Sequence, residues 1–103
     1  MYLKLKNVER TFNVDSPTER MAKGGENNFW VISFNVNEQL TTEEVEEYFI
    51  PDNTAEMTFV TPFPNGTEYE YVVNGYVNKV FNTIKHLSDG ECIVEFQFSK
   101  NAV

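Results

Sequence analysis

In the run FWVISFNV, residues 29–36, Trp30, Ile32, Phe34 and Val36 occupy alternate positions, with Ser33, Asn35 and then Asn37 on the opposite parity. Successive side chains of a strand point to opposite faces, so bulky residues at a period of two predict a half-buried strand. The alternation returns further along the chain. Met57 and Phe59 flank Thr58, Tyr69, Tyr71 and Val73 alternate with Glu68 and Glu70, and Cys92, Val94, Phe96 and Phe98 share one parity. Residues 2–14, apolar at Leu3, Leu5, Val8, Phe12 and Val14, predict one or two short strands, and residues 76–84 a further one. Phe63-Pro64-Asn65-Gly66 and Ser88-Asp89-Gly90 predict turns, and Gly75 a bulge or tight turn. Asn65-Gly66-Thr67 also has the form of a glycosylation acceptor; beside the Asn-Gly turn signal it is read as a turn. The polar stretch 15–28, DSPTERMAKGGENN, with Pro17 and Gly24-Gly25, predicts an exposed loop.

The period changes at LTTEEVEEYF, residues 40–49. Thr41 is placed to cap the amide of Glu44, and the Glu44 side chain to reach back to Thr41, a capping box. Leu40 and Val45 take the staple positions on either side of the cap. A helix of about two turns follows, burying Val45, Tyr48 and Phe49, and Pro51 disfavours helical geometry at Ile50. Short connections favour antiparallel pairing, because parallel strands need long crossovers. The expected fold is therefore α+β: an antiparallel sheet of five or six strands, open or curled, with one short helix, residues 42–50, packed on it. At 103 residues the chain suits one domain, 1–103, and 41% apolar residues with nine Phe, five Tyr and one Trp suit a globular core.

Sixteen acidic residues against eight basic give a net charge of −8. Between Lys23 and Lys79 there is no Lys or Arg, while that span holds Glu43, Glu44, Glu46, Glu47, Asp52, Glu56, Glu68 and Glu70. A negative field of this kind repels nucleic acid and anionic membranes and attracts basic surfaces; solubility alone is the plain alternative. The like-charge pair Glu43 and Glu47, four residues apart, and glutamates late in the helix each cost a few tenths of a kcal/mol. These costs leave Glu43, Glu44, Glu46, Glu47, Asp52 and Glu56 as the candidate partner-binding residues. Such a patch can steer a basic protein or imitate a phosphate backbone.

Catalytic and metal signals are weak. His86 and Cys92 flank the last expected turn, but Cys92 falls on the apolar parity, where a buried thiol is inert. Residues 51–56, PDNTAE, offer oxygen donors without the glycine and ligand spacing of a calcium loop. Gly24-Gly25 runs into Glu26, which would repel phosphate. Tyr69, Tyr71, Tyr76 and Trp30 could stack a base or small ligand, yet no basic groove accompanies them, so core packing and cross-strand pairs explain them better. No catalytic residue, metal site or cofactor is expected. The chain has no apolar run of 18 residues, MYLKLKNVER lacks a signal-peptide core, and the one cysteine suits a reducing cytoplasm.

The order of a strand, then Leu40-Thr41, Glu43-Glu44-Val45 and Phe49, then strands around Asn74-Gly75-Tyr76 and a last strand ending near Lys100, resembles small accessory proteins encoded by phages and prophages of Gram-positive bacteria. The resemblance covers residues 29–100 and implies a non-enzymatic protein of the bacterial host cytoplasm or the virion. Two functions are expected from these readings. One is a structural or tail-associated accessory protein docking on phage structural subunits, with homo-oligomers allowed. The other is an acidic inhibitor of a host defence or nucleic-acid enzyme, in which residues 43–56 occupy a basic groove of the host protein. Neither involves direct contact with nucleic acid or membrane.

Overall fold

A computed structural model describes residues 1–86 and 92–101, with the backbone alone described for 81–86, 92 and 93. Eight strands and two short helices follow one another as β1 (Tyr2–Leu5), β2 (Thr11–Asn13), β3 (Thr18–Gly24), β4 (Asn27–Val36), α1 (Thr42–Tyr48), α2 (Pro51–Thr54), β5 (Glu56–Pro62), β6 (Glu68–Asn74), β7 (Asn78–His86) and β8 (Cys92–Asn101). The strands form two antiparallel four-stranded sheets, ordered β2-β1-β5-β6 and β3-β4-β8-β7. The α+β, antiparallel expectation holds at that level. The single sheet of five or six strands does not: eight strands divide between two sheets that enclose a common core.

That core draws Leu3, Leu5, Phe12, Met57, Phe59 and Val73 from the first sheet and Ile32, Phe34, Val36, Val94, Phe96 and Phe98 from the second. Phe34 meets Phe59 edge-on across the gap, with ring centroids 5.3 Å apart. An edge-to-face pair of this kind contributes beyond the area it buries. The sheets also touch at one corner, where Val14 bridges to Val36, the Asp15 amide donates to the Asn35 carbonyl and the Asn37 amide to the Asn13 carbonyl. Strand order has an internal regularity. Exchanging the hairpins β1-β2 and β3-β4 with β5-β6 and β7-β8 leaves both sheet orders unchanged apart from direction, and the exchanged strands β1/β5 and β4/β8 pair antiparallel at the two sheet centres.

Residues 15–28 are exposed as expected, but they are not a loop. Thr18–Gly24 pairs with Asn27–Ser33 as a hairpin closed by Gly25 and Glu26. Gly25 has φ 64°, whereas Glu26 does not enter the positive region. Positive φ at the first central residue alone is the sign pattern of a type II′ turn, which matches the twist of the flanking strands. The apolar alternation is faint because β3 is an edge strand exposed on both faces. Gly75 makes a tight turn rather than a bulge, with φ 87° and its amide donated to the Ala55 carbonyl. The register shift in this region lies between Lys79 and Phe81. The turn expected at Ser88-Asp89-Gly90 and the inward side chain expected for Cys92 lie outside what is described.

The helix forms as its sequence dictates, over Thr42–Tyr48. The Thr41 hydroxyl accepts from the Glu44 amide at 3.1 Å, and Glu44 accepts from the Thr41 amide at 3.0 Å. Leu40 and Val45 are buried together as the staple requires. Residues 51–54 add a further helical turn after α1, with Pro51 at its first position, where its missing N–H costs nothing. Phe49 ends α1 fully buried. Its ring stacks on Phe96 at 4.0 Å and tilts against Phe12 at 5.1 Å. Removing that ring opens a cavity bounded by both sheets, so Phe49→Ala is expected to cost about 3–5 kcal/mol. Thr41→Ala removes one cap and is expected to cost about 1 kcal/mol. Urea unfolding of the two variants measures both losses, and a smaller loss for Phe49→Ala than for Thr41→Ala would remove Phe49 from the role assigned to it.

Candidate functional site

The six candidate acids separate into two kinds. Glu44 is consumed by the fold. Besides closing the capping box it accepts from the Arg10 guanidinium at 2.6 Å. Arg10 also lies 3.7 Å from Glu38, and its guanidinium sits 5.0 Å from the Phe12 ring centre and 5.5 Å from that of Tyr48. A planar cation stacked on rings and bonded to carboxylates is a geometry Arg favours. The other side chains point away from the protein. Glu43, Glu46, Glu47, Asp52 and Glu56 are exposed, and none of these carboxylates has a hydrogen bond or ion pair among the described residues. Asp52 and Glu56 lend only their backbone carbonyls, to the Asn7 side chain and to the Lys6 amide.

The elements explain the orientation. Val45 and Phe49 bind one side of α1 to the core and Tyr48 packs half-buried beside them, so Glu43, Glu46 and Glu47 are turned to solvent. The chain then passes through Ile50 into α2, where buried Asn53 donates to the Tyr48 carbonyl at 2.9 Å and ties the two helical segments together. Thr54, wholly buried, and Asn53 hold the inner side of α2, leaving Asp52 outside.

The charge gap between Lys23 and Lys79 is partly closed in space. Lys4 lies 3.9 Å from Glu70, and Arg10 is the cation for Glu38 and Glu44. Cations from β1 and from the connection leading into β2 thus cover part of the acidic span and leave the outer face of α1 uncovered. Both Lys4 and Arg10 are too far along the chain from their acids for a local pattern to pair them.

A second polar cluster joins the two sheets, and no sequence motif marks it. Glu19, on the core side of β3 opposite Ile32, accepts from the hydroxyl of Tyr76 at 3.0 Å and from that of Tyr71. Tyr76 is fully buried. Burial, then the bond to Glu19, pushes its phenol far above the ordinary range, and the bond to Glu19 raises Tyr71. Lys100 sits 4.6 Å from the Tyr76 ring centre and donates to the Asn74 carbonyl at 3.1 Å. Tyr76 belongs to the core as expected, but Tyr69 is 59% and Tyr71 40% exposed, so core packing does not account for those two.

An open groove of about 580 Å³ crosses the outer face of the first sheet, lined by Met1, Tyr2, Lys4, Thr11, Asn13 and Glu38. Its lining mixes polar and apolar surface, short of the predominantly apolar walls of a small-molecule site. Among the described residues no three His, Cys, Asp or Glu side chains converge as a metal site. The backbone register sets His86 opposite Cys92. No helix among the described residues is long and apolar enough to cross a membrane. Comparison with protein-family models, curated proteins and solved structures finds no match to this chain.

Glu44 supplies the pH dependence of this region. The Thr41 amide first, and Arg10 after it, hold the Glu44 carboxyl below its ordinary pKa of 4.5. A lowered value in the folded state means that the unfolded chain takes up the proton first as pH falls. The stabilisation is therefore complete above the ordinary carboxylate range and is lost as pH falls through the folded-state value. The melting temperature of the native protein is expected to drop more steeply in this acid range than that of Glu44→Gln. Parallel melting-temperature profiles for the two proteins would contradict the assignment.

Proposed function

We propose that the chain is a non-enzymatic protein-interaction module of phage or prophage origin, and that it docks a basic protein through the outward face of α1 and α2. The observation that carries this reading is the split among the acids. Glu44 is bonded into the fold, whereas Glu43, Glu46, Glu47 and Asp52 on the helical segment, and Glu56 at the start of β5, carry no bonded cation among the described residues, and the segment is locked in place on its other side. Fixed charges on a rigid support lose little freedom when a partner binds, and they steer a basic surface during approach. The net charge of −8 supports a basic protein rather than nucleic acid as the partner. A host defence or nucleic-acid enzyme has a groove of the required sign, and the acids then stand where phosphates would lie.

A place among phage structural subunits is the second reading. It is favoured by apolar side chains left in solvent: Phe63 is 47%, Val72 46% and Val80 52% exposed. Contacts of that kind resist salt, whereas exposed charge pairs are screened within about 10 Å at 0.1 M salt.

The test is a pull-down with the tagged chain from phage-infected bacterial lysate at low and moderate salt, read by mass spectrometry. The native protein is expected to retain a basic protein that moderate salt releases. The variant Glu43→Lys, Glu46→Lys, Glu47→Lys should lose at least about 1.4 kcal/mol of that affinity, a factor of ten, while keeping its circular dichroism. Glu44 is left in place because the fold depends on it. Retention unchanged by the three reversals would sink the acidic-face reading, and salt-resistant recovery of phage structural subunits would favour the second.

A further inference from the structure

We propose that the edge of β6, which no other described strand covers, pairs with β6 of a second copy, joining two first sheets into one continuous eight-stranded sheet. The inference rests on the edge strand and not on the acidic face. Sheet edges present unpaired backbone groups, and natural proteins guard them with charge, proline, bulges or short length. Three of the four edges here are guarded. β2 has three residues, and beyond it the Val14–Val36 bridge and the bond from the Asn13 amide to Glu38 tie the edge down. β3 carries Arg20 and Lys23, and β7 carries Lys79 and a register shift.

β6 lacks the basic residues, the short length and the register shift of those edges. It runs for seven residues, EYEYVVN, in unbroken register with β5 and contains no Lys, Arg or Pro. Its two acids do not stand at the edge: Glu68 accepts from the Tyr2 hydroxyl at 3.0 Å and Glu70 pairs with Lys4, so both are drawn across the outer sheet face toward β1. Tyr69, Tyr71 and Val72 are left 59%, 40% and 46% exposed.

The backbone direction is set by the hairpin. The Phe63 amide donates to the Thr67 carbonyl at 2.8 Å, in continuation of the β5–β6 register. Bonded and non-bonded pairs alternate in antiparallel strands, so Tyr69, Tyr71 and Val73 are bonded to β5. Pro62, which has no N–H, falls opposite Glu68 in a non-bonded pair, as the alternation requires. The amides of Glu68, Glu70 and Val72 therefore face the open edge.

Residue types select the occupant and the register. An antiparallel pairing centred on Tyr71 sets Glu70 opposite Val72, Glu68 opposite Asn74 and Tyr69 opposite Val73, each in both directions. No glutamate meets a glutamate, and the outward amides of Glu70 and Val72 fall in bonded pairs. A centre one residue earlier sets Glu70 on Glu70, which like charge opposes. Two-fold pairing is also the commonest symmetry of identical chains. The Asn74 carbonyl, already held by Lys100, limits the bonds at the ends of the pairing.

Light scattering on the full chain after size exclusion, across about a hundredfold range of concentration, tests the pairing through mass action. The mass is expected to move from one chain to two. Val72→Pro, which removes an N–H that faces away from β5 and serves no bond among the described residues, should weaken the dimer at least tenfold with the circular dichroism unchanged. In a Cys92→Ser background, Tyr71→Cys should form an intermolecular disulfide under mild oxidation, because Cα atoms in a directly opposed non-bonded pair lie about 4.5 Å apart. Tyr69→Cys should not, since it faces Val73. A protein that stays at the one-chain mass throughout overturns the proposal and leaves the edge for a strand of another protein. A dimer indifferent to Val72→Pro, or one that cross-links as well through Tyr69→Cys, overturns it too.

Discussion

The stack of Phe49 on Phe96, 4.0 Å between ring centres, is the contact on which the arrangement of the helical segment depends. A helix of seven residues does not persist in water on its own propensity, because nucleation costs more than so few bonds return. α1 exists because Val45 and Phe49 are buried between the sheets and because Thr41, Glu44 and Arg10 close its first turn. The same contacts decide which glutamates point outward. Phe12 and Phe96, on opposite sheets, both touch Phe49, so the acidic face is oriented by the joint between the sheets rather than by α1 alone.

The electrostatics follow a similar logic. Read along the chain, Lys4 and Arg10 look like an N-terminal basic group remote from the acids. In the fold, β1 is a central strand and β2 its edge, and this carries both cations to carboxylates of the middle segment. What remains uncompensated is narrower than the sequence span suggests and sits on a more rigid support. On the outer face, Lys4, Glu70, Tyr2 and Glu68 ring the outward-facing Val60, which has no exposed surface at all. Charged side chains there shield an apolar residue and hold the sheet face closed.

Local signals were legible where one residue type has one physical use. The capping box, the Leu40–Val45 staple and the Ile32-Phe34-Val36 face are written in spacing, and the structure forms each of them. Division into two sheets was not legible, because alternation tells which residues share a face but not which strands share a sheet. β3 leaves no such signal, because Thr18–Gly24 buries almost nothing, and a strand without a buried face has no apolar period. The fate of Glu44 followed from its own cap, but its bond to Arg10 spans 34 residues and no local rule reaches that far. The Glu19–Tyr71–Tyr76 cluster is farther still, joining residues more than 50 positions apart.

The interchangeable order of the two halves has a kinetic consequence. Every hairpin is local, but both sheet centres join strands far apart in sequence: Leu3 opposite Phe59, and Ile32 opposite Phe98. During synthesis the first four strands leave the ribosome with Leu3, Leu5, Phe12, Ile32 and Phe34 bared, and their central partners arrive only with β5 and β8. Closing such long loops before any contact rewards them slows folding, and exposed apolar strands meanwhile invite pairing between chains. The nascent chain therefore passes through a long sticky interval, in which the hairpins are formed and the common core is not.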